Sequence, residues 1–478
     1  MLDFSKIKCI HCIGIGGIGL SAVAGILLSR GYTVTGSDMN QGDKVHELMK
    51  LGAKISLGHR AKNVRGADLV IYSSAVSKDN PELCEARNLG IPIISRAQML
   101  GILMEQEEMA IAVSGTHGKT TTTSMISLIL KNAQKDPTIL VGGNLKELGG
   151  NFRAGGRKYL VTEACEYMDN FLELKPKIEI ILNIDSDHLD YFKDIEHIVK
   201  SFDKFAGMVP SDGLILAYDA NPFVKQVIQG RDNALTYGLG RGNDYYAEDI
   251  AFDKYGRPAF SVYHKNEDGK EGGEKLLHVQ LAIPGEHNLL NALVATACAH
   301  VLGISMDTVK STLEAYTGTQ RRFDVLGETA DGVRIIDDYA HHPTEIKATL
   351  KAAKNIDHND MWCVFQPHTY TRTLALFDEF PAAFEIADKV ILAEIYAARE
   401  KNIHKISSKS LVKEIKKRYP EKDVYYFKDL HEIANFVYNN VEPNDMVLTM
   451  GAGDVYKVGE EILEMDGRAA RGGAKQDD

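Results

Sequence analysis

Ala112-Val113-Ser114-Gly115-Thr116-His117-Gly118-Lys119-Thr120-Thr121-Thr122-Thr123 is the stretch on which the reading of this chain turns. An apolar segment, Met109 to Val113, runs into it, and Met125, Ile126, Leu128, Ile129 and Leu130 follow at helical spacing. A strand, a glycine turn bearing Lys-Thr and a helix together make a phosphate cradle. Backbone N–H groups and the helix N-terminus face the anion, Lys119 adds a point charge, and the Thr120 hydroxyl suits Mg²⁺. Gly115, Thr116, Gly118, Lys119, Thr120 and Thr121 are therefore the expected nucleotide contacts. The full pattern G-x-x-x-x-G-K-[ST] is not met, because Val113 stands where its first glycine would fall.

A second glycine turn lies upstream. Ile7 to Ile13 reads as an apolar strand, Gly14-Ile15-Gly16-Gly17-Ile18-Gly19 as a turn, Leu20 to Arg30 as a helix, and Thr33 to Ser37 as a strand ending at Asp38. Gly14, Gly16 and Gly19 with an acidic residue about 20 positions on form the dinucleotide-binding fingerprint in its proper βαβ setting. The pattern alone favours NAD(P). The same N–H groups would hold any pyrophosphate, and a second loop of ATP type in one chain argues against a dehydrogenase.

Strands near Ile55, Leu69 to Ser73 and Ile91 to Ile94 continue the alternation, and Glu105-Gln106-Glu107-Glu108 reads as a linker. The second block runs to about Phe323, with strands Tyr159 to Thr162 and Ile178 to Ile184, meandering hairpins over 240–278 and a helix carrying Asn288 to Leu302. The third opens near Val325, with strands Arg334 to Ile336, Cys363 to Gln366, Lys389 to Ala393 and Met446 to Thr449. Strands alternating with helices predict an α/β protein with a mostly parallel sheet in each block. The polar tail from Arg468 to Asp478 reads as disordered.

The 478 residues allow about three domains. No apolar run reaches the ~18 residues of a membrane helix, and no signal peptide is expected, so the reading is a cytoplasmic protein without membrane insertion. A net charge of −11 argues against a nucleic-acid partner. The six cysteines are scattered and read as reduced thiols.

Ligands of parallel sheets sit beyond the carboxyl ends of the strands. Glu163 and Glu166 follow one strand there, and Asn183, Asp185, Asp187, His188 and Asp190 crowd the end of the next. Near a phosphate loop, Glu163 and His188 suit Mg²⁺ bridging nucleotide oxygens; solvated helix caps are the bland alternative. His287, Asn288 and Asn291 line the first turn of a helix, where capping explains one polar residue and base or ribose contact explains three. Arg321-Arg322 offers a guanidinium for a moving phosphoryl charge. Asp337-Asp338-Tyr339-Ala340-His341-His342-Pro343, Phe365-Gln366-Pro367-His368 with Arg372, and Glu394 to Glu400 follow three further strands.

Gly115 to Thr121, Pro284-Gly285-Glu286-His287-Asn288 with Asn291, Arg321-Arg322-Phe323 and Asp338 to Pro343 stand in the order seen in Mur ligases. The chain resembles that family over nearly its whole length. The resemblance implies an N-terminal Rossmann-like domain for a UDP-sugar (1–107), a central ATP-binding domain (108–324), a Rossmann-like C-terminal domain receiving the amino acid (325–467) and a tail (468–478). It implies ATP-dependent amide formation through an acyl phosphate, joining L-alanine to the carboxylate of UDP-N-acetylmuramate in peptidoglycan precursor synthesis, by a monomer or homodimer using ATP and two Mg²⁺. A relative that adds a tripeptide to the same sugar nucleotide shares the ATP motifs but usually lacks the Phe365 to His368 and Thr371-Arg372-Thr373 signature.

Carried over residue by residue, Lys119 and Thr120 would hold ATP phosphates and Mg²⁺, and Glu163 and His188 would ligate the metal. His287, Asn288 and Asn291 would meet the adenosine, Arg322 the γ-phosphate, and Asp338 the nucleotide from across the cleft. His341 would serve the chemistry, and His117, Glu166, His368 and Arg372 would border the muramoyl and alanine sites. Gly14, Gly16, Gly17 and Gly19 would cradle the UDP pyrophosphate, with Ser37, Asp38, Ser73 and Ser74 beside the uridine. Sister ligases use a carbamylated lysine near the second metal; Phe202 stands at that position here, and Lys200 receives no such role. Some relatives carry an arginine where Thr369 stands.

Overall fold

The strand Met109–Ser114 ends at Gly115, whose φ of +131° reverses the chain into the loop before the helix Lys119–Asn132. Every other element near the site is arranged around strands of this kind. The computed structural model describes residues 3–189, 191–266, 272–398, 400–403 and 405–467. Asp190, Arg399 and the tail 468–478, on which sequence expectations also fell, lie outside them.

Three α/β units follow one another, each around its own sheet. The first sheet runs Lys54–Leu57, Thr33–Asp38, Cys9–Ile13, Leu69–Tyr72 and Ile93–Ser95 in spatial order, all parallel. Its order reverses direction beside Cys9–Ile13, so the crevice where parallel sheets take ligands opens above the glycine turn. The second sheet has ten strands. Its parallel centre sets Met109–Ser114 between Ile178–Ile181 and Tyr159–Glu163. The six-stranded third sheet places Arg334–Asp338, Met446–Met450 and Met361–Phe365 side by side and parallel.

These central strands read as continuous apolar runs because helices cover both faces. Ile111, Val113, Ile180, Ile335, Val364 and Leu448 are fully buried. Residues 240–278 form the expected antiparallel hairpins, Tyr245–Phe252, Pro258–Lys265 and Gly273–Gln280. The hairpin Thr138–Leu145 with Gly150–Arg153 was not anticipated; its Gly142-Gly143-Asn144 stretch interrupts the apolar alternation that marks a strand. Asp324–Glu328 and Asp423–Tyr426 are further strands outside the sequence reading.

The acidic stretch 105–108 joins the helix Arg96–Glu105 to the strand Met109–Ser114, with Glu105, Gln106 and Glu108 exposed. Glu107 is buried and ion-paired with Arg30, which ties the last residues before the second unit back onto the first. The contact continues along the helix Arg96–Glu105, where Gly101 lies so close to the Glu173 carbonyl that any Cβ would collide with backbone. Asn151 adds a hydrogen bond from Nδ2 to the Ile18 carbonyl at 2.9 Å. Gly101→Ala must therefore push the two units apart. It should cost ~1–3 kcal/mol, read as a lower urea midpoint of the full chain at unchanged slope.

Candidate active site

The phosphate loop is held by its own lysine. The Lys119 Nζ donates to both carboxylate oxygens of Glu166, at 3.0 and 3.2 Å, to the Thr116 carbonyl at 3.0 Å and to the Gly115 carbonyl. Burial works against this ammonium, yet the charge and hydrogen bonding of Glu166, together with Cys165 and Glu163, raise the lysine's pKa. Gly118 closes the loop at φ +86°, and no side chain caps the helix that follows. Its first-turn N–H groups therefore face the loop's open side, the arrangement that binds phosphate.

Above the loop lies a cavity of about 470 Å³ lined by residues from distant parts of the chain. Gly118 and Thr121 come from the loop, His287, Asn288 and Asn291 from the start of the helix Glu286–Val301, and Arg322 and Asp338 from the junction with the third unit. Asn291 packs against the loop: a Cβ on Gly118 would meet its Oδ1 at 2.8 Å. Asn288 is oriented by its Nδ2 donating to the Pro284 carbonyl at 2.7 Å. Tyr218, Asn221 and Phe223 complete a partly aromatic wall suited to a base; nothing in their local sequence marked them.

The two arginines divide their roles. Arg321 is committed within the protein, its guanidinium donating to Asp337 at 3.0 Å and to the carbonyls of Gly451 and Gly453. Arg322 lines the cavity with its guanidinium over the Tyr339 ring. Asp338 accepts N–H bonds from Phe323 and Ala340 at 2.8 and 2.7 Å, and burial pushes its pKa up to about 6 against the pull of Arg322.

Thr120 and Glu163 both border the Gly142-Gly143 backbone. A Cβ on Gly142 would meet the Glu163 carboxylate at 2.9 Å, and one on Gly143 would meet the Thr120 methyl at 3.5 Å. A hydroxyl and a carboxylate at a phosphate loop are the hard oxygen donors Mg²⁺ takes alongside nucleotide phosphates and water, so these residues fit that ion. His188 lies beyond the next strand end, its ring 4.6 Å from Tyr167 and its Nε2 3.8 Å from Asp187.

A polar seam joins the second and third units. The His117 ring donates from Nδ1 to Glu345 at 3.1 Å and from Nε2 to Asp185 at 3.2 Å. Burial favours its neutral form, but the carboxylates of Asp185 and Glu345 prevail and push its pKa up to about 9. Thr344 Oγ1 donates to Asp185 at 2.8 Å, and His342 Nε2 to the Ser186 carbonyl at 2.9 Å. Arg372 donates to Asp187 at 2.9 and 3.3 Å and also contacts His368. His341 and His368, with ring centroids 6.0 Å apart, are each lowered to about 4, chiefly by burial. The sequence reading set His117, His341, His368 and Arg372 at the site and omitted Glu345 and Thr344, which stand one turn into a helix and carry no motif of their own.

Glycine-turn residues lie on the first sheet and do not line this cavity. Gly14 and Ile15 donate to the Ser37 carbonyl, Gly16 to Asp38 at 2.8 Å and Gly17 to the Gly14 carbonyl, so the turn is tied internally. The helix Ile18–Ser29 begins at Gly17 without a side-chain cap, and a Cβ on Gly19 would lie 3.1 Å from the Arg96 chain. Arg96, missed in the sequence, directly follows the strand Ile93–Ser95 and puts a cation at this helix start. Ser73 is half-buried and Ser74 exposed at the end of Leu69–Tyr72. Ser37 is fully buried, and its hydroxyl donates to Glu82 at 2.5 Å. Burial works against a charge on Glu82, but His11, Ser37, Asn63 and the Arg60 N–H hold its pKa at about 2, down from 4.5.

A carboxyl depressed in this way stabilises the fold above its unfolded pKa, and the contribution is lost as pH falls toward the folded value. At about 1.4 kcal/mol per pH unit the shift from 4.5 to about 2 corresponds to ~3 kcal/mol. Glu82→Gln should flatten the loss of stability between pH ~5 and ~2, measured as urea midpoints against pH.

Family models match the chain in three consecutive segments: the Mur ligase family catalytic domain over residues 9–108, the Mur ligase middle domain over 113–299 and the Mur ligase glutamate ligase domain over 321–453. Among curated relatives, a UDP-N-acetylmuramate–L-alanine ligase of Caldanaerobacter subterraneus is 49% identical over 97% of this chain and 99% of its own. That of Acetivibrio thermocellus is 48% identical over 97% of each. Among solved structures, a UDP-N-acetylmuramate-alanine ligase from Thermotoga maritima superposes with a TM-score of 0.78 at 31% identity, covering 96% of this chain and 99% of that one. A murein peptide ligase from Psychrobacter arcticus superposes at 0.70 and 27% identity over the same shares.

Proposed function

The chain belongs to the Mur ligase family, and from that premise we propose that it joins L-alanine to the carboxylate of UDP-N-acetylmuramate at the expense of ATP, as a cytoplasmic step of peptidoglycan precursor synthesis. One observation carries the ATP half of this reading: a single cavity gathers the phosphate loop, His287, Asn288 and Asn291, and Arg322 with Asp338. The alanine half is supported by relatives of that activity at 49% and 48% identity over nearly the full chain.

The muramoyl carboxylate is a poor electrophile and needs activation. It attacks the γ-phosphorus of ATP, and ADP leaves. The amine of alanine then attacks the acyl carbon, phosphate leaves, and one proton is shed. Lys119 and Arg322 neutralise the charge that moves onto the phosphoryl oxygens. Thr120, Glu163 and His188 would hold two magnesium ions, which supply further charge neutralisation when bound. Asn288 and Asn291 orient the adenosine, and Asp338 meets the nucleotide from the third unit. The uncapped first turn of the helix Ile18–Ser29, at Gly19 and beside Arg96, receives the UDP pyrophosphate, while Gly14, Gly16 and Gly17 shape the turn that presents it. His341, lowered to about 4, is unprotonated at neutral pH; it accepts a hydrogen bond from the incoming amine and borders the alanine site with His368 and Arg372. The division into substrate, nucleotide and acceptor domains at 107/108 and 324/325 follows from these roles.

ADP release from ATP and UDP-N-acetylmuramate should require L-alanine and yield an alanine-containing UDP product. The tripeptide L-Ala-γ-D-Glu-meso-diaminopimelate should release little, and its preference over L-alanine would overturn the assigned acceptor. Lys119→Ala should lower kcat by ~10²–10³-fold or more while the chain stays folded by circular dichroism; full activity in that variant would remove the ATP site from the loop.

A further inference from the structure

His117, Asp185 and His342 are the group of three histidine or carboxylate residues, among the described residues, whose ligand atoms lie within 4.8 Å of one another. None of them is among the magnesium-holding residues above. His117 Nε2 is 3.2 Å from Asp185 Oδ2, and His342 Nδ1 is 3.9 Å from the same oxygen. A tetrahedral ion with bonds of ~2.05 Å sets its ligands ~3.3 Å apart, so the His117–Asp185 edge already has that length and the other edges, none above 4.8 Å, need to contract.

The outer contacts are those of a metal centre. A metal-bound imidazole usually has its other nitrogen held by a carboxylate or a carbonyl, which fixes the ring and the tautomer. Here Glu345 holds His117 at Nδ1 and the Ser186 carbonyl holds His342 at Nε2. Each ring thus turns its remaining nitrogen toward Asp185. Asp185 and Glu345 bring two negative charges to a seam where the His342 side chain is 1% exposed. His117 and Asp185 line the nucleotide cavity, which gives an ion a route in.

We propose that His117, Asp185 and His342 bind one divalent transition-metal ion, with zinc as the best-suited class, and that the ion ties the central unit to the C-terminal one. Two imidazoles and one carboxylate select such ions over Mg²⁺, which prefers an all-oxygen octahedron. The ion takes the place of the proton on His117 Nε2 and of the Thr344 N–H that His342 Nδ1 accepts at 3.2 Å. Since two ligands come from the central unit and one from the helix cap of the third, bound zinc holds the units together and slows any step that needs them to part.

Cobalt(II) makes the site visible. The full-length chain, in excess Mg²⁺, is titrated with Co²⁺ and followed by visible absorption. One equivalent should give the intense bands of a four-coordinate centre, and Zn²⁺ should bleach them. His342→Gln and Asp185→Asn, each checked for folding by circular dichroism, should weaken Co²⁺ binding by ~10–100-fold or more, whereas Glu163→Gln should leave the bands unchanged. Absence of the bands from the unmodified chain, their survival in both ligand variants, or their loss in Glu163→Gln would overturn the proposal.

Discussion

The Lys119–Glu166 pair is the contact on which the site is built. An ammonium that is 15% exposed and a carboxylate that is 3% exposed hold each other at the mouth of the loop, where either one alone would carry an uncompensated charge out of water. The two loop carbonyls that share the ammonium fix the backbone that carries the cradle's N–H groups. Once this loop is rigid, Asn291 can pack on Gly118 and the cavity acquires a floor. The roof comes from Arg322 and Asp338, which reach the same space only because the third unit docks there.

That docking is electrostatic where it meets the loop. Asp185 and Asp187, two residues apart after one strand, face His117 and Thr344 in one case and Arg372 in the other. Asp185 is held well below the usual carboxylate range, first by its hydrogen bond from His117. Burial opposes a charge on Asp187, and His188 and Arg372 overcome it. A seam made of charges is strong when aligned and weak when displaced, because the partners sit in a low-dielectric junction and lose each other's compensation together. The loop that would receive the nucleotide therefore also bears the histidine that contacts the third unit.

Much of the architecture is legible in the residues because parallel sheets leave a plain trace. Strands buried on both faces must be apolar throughout, as in Leu69 to Tyr72 and Met361 to Phe365, and each must end in a polar turn. Two of the strands that escaped notice lack that trace. Gly142-Gly143 breaks the pattern of one, and Asp423–Tyr426 has a single fully apolar residue, Val424. Glu107 sits in a stretch that reads as a linker, and nothing local pairs it with Arg30, 77 residues away.

The sequence by itself determined the parts whose chemistry is local. A glycine turn followed by a helix, with Lys-Thr in one case and within G-x-G-x-x-G in the other, brings a helix start whose first-turn N–H groups are free to face an anion, because helix ends leave donors unsatisfied wherever they occur. Tertiary structure decided what those parts face. It turned Arg322 into the cavity while committing Arg321 to Asp337, buried Ser37 against Glu82, and added Glu345, Thr344 and Arg96 to surfaces no motif had marked. The physical reason is that side-chain direction and burial depend on packing between residues hundreds of positions apart, and a linear pattern carries no record of which strand ends will meet.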